Sequence, residues 1–163
     1  MRKALLLAAV MLAPLYSQTR DVIKVDFTIR DSGDAGGKSG RKYSLLLNAG
    51  NKGVFKIGNR VPMATSASTG PSVNTQFTYV DVGVNIDCVV GESGGRMSMR
   101  ADIDMSTAIA PDKNSPISNP TISQIRLSIE TAIPAGKPTI VASFDDPVTS
   151  RKFDIEAVAT KVN

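Results

Sequence analysis

The chain has 163 residues, room for one domain around one core, and its 19 Lys and Arg against 15 Asp and Glu give a formal net charge of +4. It contains no histidine, which removes Ser-His and Cys-His nucleophile pairs and the commonest metal ligand, leaving an enzyme only carboxylate, lysine or tyrosine chemistry. Its single cysteine cannot close an internal disulfide, and its Lys and Arg are scattered without interleaved aromatics, which argues against a nucleic-acid surface.

The N-terminus reads as a secretory signal peptide over residues 1–17. Arg2 and Lys3 form a basic start, Ala4 to Leu12 an apolar run, and Pro14-Leu15-Tyr16-Ser17 a break ending in a small residue. The apolar run is about half of the roughly 20 residues that a membrane-spanning helix needs. Cleavage near Ser17 and Gln18 leaves an exported mature chain, 18–163, expected to be a single domain without a spanning helix. Losing Arg2 and Lys3 leaves 17 basic residues against 15 acidic, a net charge of +2, so part of the basicity belongs to the address label. No lipid-attachment cysteine comes after it, because the only one is Cys88.

The first mature segment alternates Val25, Phe27 and Ile29 with Lys24, Asp26, Thr28 and Arg30, the pattern of a half-buried strand. Next comes Ser32 to Gly40, SGDAGGKSG, which ends like a phosphate-binding loop. The spacing fails: counting back from Gly37 puts Ser32 where the first Gly belongs. Residues 41–48 also alternate as a strand, Tyr43, Leu45 and Leu47 against Lys42, Ser44 and Asn48, where a phosphate loop must open a helix. The stretch reads as a Gly/Ser loop between two strands. A turn at Asn48 to Gly53 leads to a short third strand, Val54 to Ile57, and residues 62–74, poor in charge and rich in Ser, Thr, Ala, Gly and Pro, read as a long loop.

The strongest periodicity begins at Val80. Val80, Val82, Val84, Ile86, Cys88 and Val90 form one face of a strand, and Met97, Met99, Ala101, Ile103 and Met105 one face of the next, across Gly91-Glu92-Ser93-Gly94-Gly95. With Ser93 and Gly94 as turn centre, Val90 faces Met97, Cys88 faces Met99, Ile86 faces Ala101, Val84 faces Ile103, and Asp87 opposes Arg100. A slip by one residue would send a whole stripe into water. After a Pro-punctuated connection from Ala110 to Pro120, three further strands carry Ile125, Leu127 and Ile129; Ile140 to Phe144; and Phe153, Ile155, Ala157 and Ala159. About eight strands with short turns and no sustained helical repeat predict an all-β fold, an antiparallel β-sandwich, with a small open barrel as the alternative.

Asp81-Val82-Gly83-Val84-Asn85-Ile86-Asp87, then a glycine turn and the acidic strand Ala101-Asp102-Ile103-Asp104, resembles a segment of the bacterial secretins, ring-forming outer-membrane channels of type II and III secretion. Asn119-Pro120-Thr121-Ile122-Ser123-Gln124 and Ile133 to Ala142, containing Pro134-Ala135-Gly136-Lys137-Pro138, resemble the family's next two strands in the same order. The likeness runs from Tyr79 to Phe144, about two-fifths of the chain. It implies a β-sheet fold and an envelope location. Departures are Ser143-Phe144-Asp145, where the family closes this segment with glycines, and only about sixty residues of other sequence before the matching region, where the family carries long ring-building modules and membrane-embedding hairpins.

Candidate chemistry is sparse. Asp102 and Asp104, at i and i+2 on one strand, share a face roughly 6.5–7 Å apart, a spacing that also suits carboxylates acting on a glycosidic bond; the competing reading is a solvated polar face. Calcium could use these carboxylates with Asp81 or Asp87, although no Asp-x-Asp-x-Asp-Gly loop is present. Met97, Met99 and Met105 are thioethers of the kind that bind Cu(I), but on an apolar stripe they read as packing, as does Cys88. The sequence supports no catalytic, cofactor or metal assignment. The expectation is a non-enzymatic, exported protein-interaction module of the cell envelope, a subunit or accessory of a secretin-like assembly, meeting an envelope partner or its own copies through β edges. The alternative is a soluble periplasmic or secreted module binding a small ligand or glycan at the 62–74 loop, and carboxylate-based hydrolysis is a third reading.

Overall fold

The computed structural model describes residues 21–33, 40–66, 75–111, 119–147 and 150–162. Among them are eight strands and no helix: β1 (Val22–Asp31), β2 (Arg41–Asn48), β3 (Lys52–Ser66), β4 (Thr75–Ser93), β5 (Arg96–Ile109), β6 (Thr121–Pro134), β7 (Thr139–Asp145) and β8 (Lys152–Val162). They form two four-stranded antiparallel sheets, in the orders β2-β1-β8-β7 and β3-β4-β5-β6. The sheets pack as a sandwich, as the alternation predicts, and do not close into a barrel. The segments expected to be a signal peptide and the Gly-Lys-Ser stretch of the first loop lie outside the described residues, except that Ser32 and Gly33 leave β1 in a turn and β2 comes after the loop as a strand.

One core lies between the sheets. The first sheet contributes Ile23, Val25, Phe27, Ile29, Leu45, Leu47, Phe153, Ile155, Ala157 and Ala159, and the second Ile86, Cys88, Val90, Met97, Met99, Ala101, Ile103, Ile129 and Ile133. In the first sheet small residues face larger ones at two rows, Phe27 opposite Ala157 and Val25 opposite Ala159, whereas Ile29 faces Ile155 and, in the second sheet, Ile86 faces Ile103. At the two unequal rows large side chains fill the space that small partners leave, each full burial stabilising by about 1.5–3 kcal/mol.

Two expectations need correction. The register of the β4–β5 hairpin is displaced by two residues, with Val90 opposite Met99, Cys88 opposite Ala101, Ile86 opposite Ile103 and Val84 opposite Met105. The turn is Gly94-Gly95, with φ of 58° and 75°, so both central residues take the left-handed conformation that a tight two-residue hairpin demands and that glycine adopts without strain. A two-residue displacement keeps both apolar stripes inside, which is why the stripes alone could not exclude it. It also cancels the Asp87–Arg100 pair: Asp87 stands opposite Asp102, and Arg100 opposite Val89 and Glu130. Residues 62–66, expected within a loop, continue β3 and pair with 75–79 of β4, so the third strand is 15 residues long.

Candidate functional site: the open edges of the two sheets

Each expected site residue has a structural place. Asp102 and Asp104 project from the outer face of β5, where the Ser128 hydroxyl donates to Asp102 at 2.6 Å and Asp104 accepts from Gln124 Nε2 and Arg126 Nε at 2.9 and 3.0 Å. Lys52 pairs with Asp87 at 2.7 Å, and Arg60 with Asp81 at 3.0 Å. Asp81 lies beyond the end of β4–β5 pairing, and among the described residues no three His, Cys, Asp or Glu side chains are grouped to hold a metal ion. Met97 and Met99 are buried, and Met105 packs half-buried against the core. Cys88 is 1% exposed, and burial pushes its thiol up to about 12. These groups are held by neighbours or by packing, and do not converge on one point.

Among the described residues, what the fold leaves unpartnered is backbone. β2 and β3 are joined by a short turn and lie on one flank of the sandwich, where the Tyr43 and Phe55 rings meet edge to face at 5.5 Å. β6 and β7, joined by the turn after Pro134, form the other flank. Among the described residues, both sheets thus end on the same two flanks, and each of the four edge strands has a strand neighbour on one side only.

The direction of each free backbone group is set by the hairpin. In a two-residue turn the closing pair, here Ser93 and Arg96, exchanges both bonds, and pairs alternate from there. Even-numbered residues of β5 therefore bond to β4 and odd-numbered ones to β6. Carried across the registers, even-numbered residues of β3 and of β6 point their N–H and C=O groups away from the sheet. Asn119 supports this parity, since its side chain bonds the free-side N–H and C=O of Ala64 in β3.

These edges are not polar throughout. Leu46 on β2, Val54 and Ile57 on β3 and Ile140 on β7 are all more than half exposed, from 54% for Val54 to 68% for Leu46. Unpaired edges carrying large apolar side chains template strand addition unless something covers them. The sequence showed the alternation that makes these strands but not which strands end the sheets, because pairing order is a property of the whole chain.

The comparisons agree with this architecture. No protein-family model matches the sequence, and no curated protein does. Solved structures do. The InvG secretin domain β-barrel of the Salmonella SPI-1 injectisome is similar at 15% identity over 88% of this chain and 60% of that one, with a TM-score of 0.53. The chain has the fold of a secretin domain. The Klebsiella pneumoniae type II secretion outer-membrane complex of PulD, PulS and the PulC HR domain matches over 88% of this chain and 38% of that one, at 8% identity and a TM-score of 0.54. The type II secretin GspD of enteropathogenic Escherichia coli covers 88% and 67%, at 9% identity and a TM-score of 0.51. The secretin likeness therefore extends well beyond residues 79–144, while the chain spans only about 60% of the InvG domain.

Proposed function

We propose that the chain is a non-enzymatic, exported protein of the bacterial cell envelope that acts as a structural subunit or accessory of a secretin-like assembly, meeting further copies or an envelope partner through its sheet edges. The observation that carries this reading is the coincidence of open edges: β2 with β3 on one flank, β6 with β7 on the other, three of the four bearing exposed large aliphatic side chains. The flank of one copy set against the opposite flank of the next would continue both sheets at once. Such a contact is heterologous and closes into a ring or runs on as a filament. The structural neighbours are secretin domains from multi-protein secretion complexes, which supports an assembly role.

The test is the native mass of the protein gently extracted from its own envelope, compared with that of the purified mature chain. A discrete large complex in the envelope is expected. A monomer released with soluble periplasmic contents would overturn the reading.

A further inference from the structure

The hairpin of β3 and β4 has two regimes. From Lys52 to Ile57 it is backed by β5, since β4–β5 pairing runs from Ser93 opposite Arg96 to Val84 opposite Met105 and stops there. Beyond it, Asn59–Ser66 and Thr75–Val82 continue as a two-stranded arm. The boundary is a pair of glycines, Gly58 opposite Gly83. Their backbones approach too closely for side chains: a Cβ on Gly58 would stand 2.2 Å from the Val82 carbonyl oxygen, and one on Gly83 2.1 Å from that of Ile57. Gly83 also has φ of 148°, and its N–H donates to the Ser106 hydroxyl at 3.0 Å. The sheet therefore yields at one row.

The arm is tied down from a distant part of the chain. The carboxamide of Asn119, just ahead of β6, accepts from the Ala64 N–H at 2.7 Å and donates to the Ala64 carbonyl oxygen at 2.8 Å. Those are the two bonds that a residue of an adjoining strand would make there. Pro120 comes directly after Asn119 and restricts it to extended backbone, which helps hold the carboxamide on its target. Two residues earlier on the same edge is Pro62, whose nitrogen would face outward and has no proton to donate.

We propose that Asn119 is an intramolecular edge latch, which fixes the arm at the Gly58–Gly83 bend and, with Pro62, closes the distal half of β3 to strand addition. The open stretch of β3 is then Lys52 to Arg60, whose outward N–H groups are those of residues 52, 54, 56, 58 and 60. This rests on the assembly reading insofar as it says which part of one edge a neighbouring copy can use. The latch itself is a property of the single chain.

Amide hydrogen exchange on the full chain, resolved by residue, tests it. Ala64 lies on a free edge, and its N–H is protected only if Asn119 holds it. In Asn119→Ala, exchange at Ala64 is expected to accelerate by about tenfold, the effect of losing one ordinary hydrogen bond, while Met63 and Thr65, which bond to β4, change little. Asn119→Asp keeps an acceptor for the N–H but loses the donor for the carbonyl, and is expected to fall between. Self-association of Asn119→Ala at matched concentration should exceed that of the parent, as the distal edge becomes available. Equal exchange at Ala64 in the parent and Asn119→Ala would overturn the latch, as would an equal rise at Ala64, Met63 and Thr65. A monomeric native mass with a protected Ala64 would overturn the assembly reading and leave the latch standing.

Discussion

At the scale of single residues, glycines of the second sheet make opposite predictions according to what surrounds them. Gly83 sits at positive φ with the Ile57 carbonyl oxygen where its Cβ would be. Gly83→Ala should therefore destabilise by roughly 1–3 kcal/mol, read as a lower urea midpoint. Gly91, on the same strand, would meet nothing within 4 Å. Gly91→Ala should be neutral or stabilise by up to about 1 kcal/mol, because the substitution mainly restricts the unfolded chain. Equal losses at both positions would mean that the tight row at Gly83 is not what constrains the hairpin.

Cys88 makes a pH prediction at the same scale. Burial raises its thiol from an ordinary value of 9.0 to about 12. Between these values the folded chain keeps a proton that the unfolded chain has lost, so this residue's contribution to stability declines as pH rises from about 9 towards 12. Urea unfolding at pH 8 and pH 10.5 should show a steeper alkaline loss in the parent than in Cys88→Ala. A thiol reagent at neutral pH should modify Cys88 only as fast as the protein unfolds.

At the scale of elements, the β4–β5 hairpin shows what periodicity can and cannot specify. The stripes ending in Val90 and beginning at Met97 fix which face is buried, and displacement by one residue is forbidden. Displacement by two is not, and the choice falls to the turn, where Gly94 and Gly95 both accept positive φ and Ser93 is not required to. The consequence is Asp87 directly opposite Asp102. Like charges in that position are destabilising, and Lys52 offsets them from the Asp87 side only. Asp102→Asn keeps an oxygen to accept from Ser128 while removing one charge, and should stabilise by about 0.2–1 kcal/mol in thermal or urea unfolding. Asp104→Asn, which weakens the pair with Arg126, should not. The distal arm was illegible for a different reason. Residues 59–66 and 75–82 lie past the end of β4–β5 pairing; apart from Val80 and Val82, which continue the alternation of β4, no partner strand imposes a buried stripe there, and residues 62–66 carry loop composition while forming a strand. Only the far reach of Asn119 onto Ala64 reveals how the arm is held, and no local pattern encodes a contact between residues 55 positions apart.

At the scale of the whole molecule, eight strands and a two-layer core were readable because each strand carries its own alternation. Their order was not, since β8 joins β1 and β7 from the far end of the chain. That order places the open edges together on two flanks, and it also allows the assembly reading to be separated from folding. In β3, the N–H of Lys56 points away from the sheet while that of Ile57 bonds to β4. Proline at 56 removes a donor that the isolated chain does not use but an added strand would. Proline at 57 removes a bond within the hairpin itself. Lys56→Pro is therefore expected to retain most of the parent's thermal stability and lose the large native mass in the envelope extract. Ile57→Pro should unfold at a markedly lower temperature than Lys56→Pro, or fail to fold. If Lys56→Pro folds and still enters a complex of parental mass, strand addition at β3 is not the contact that builds the assembly, and the neighbouring subunit must be held by β2 against β7 or by the sheet faces.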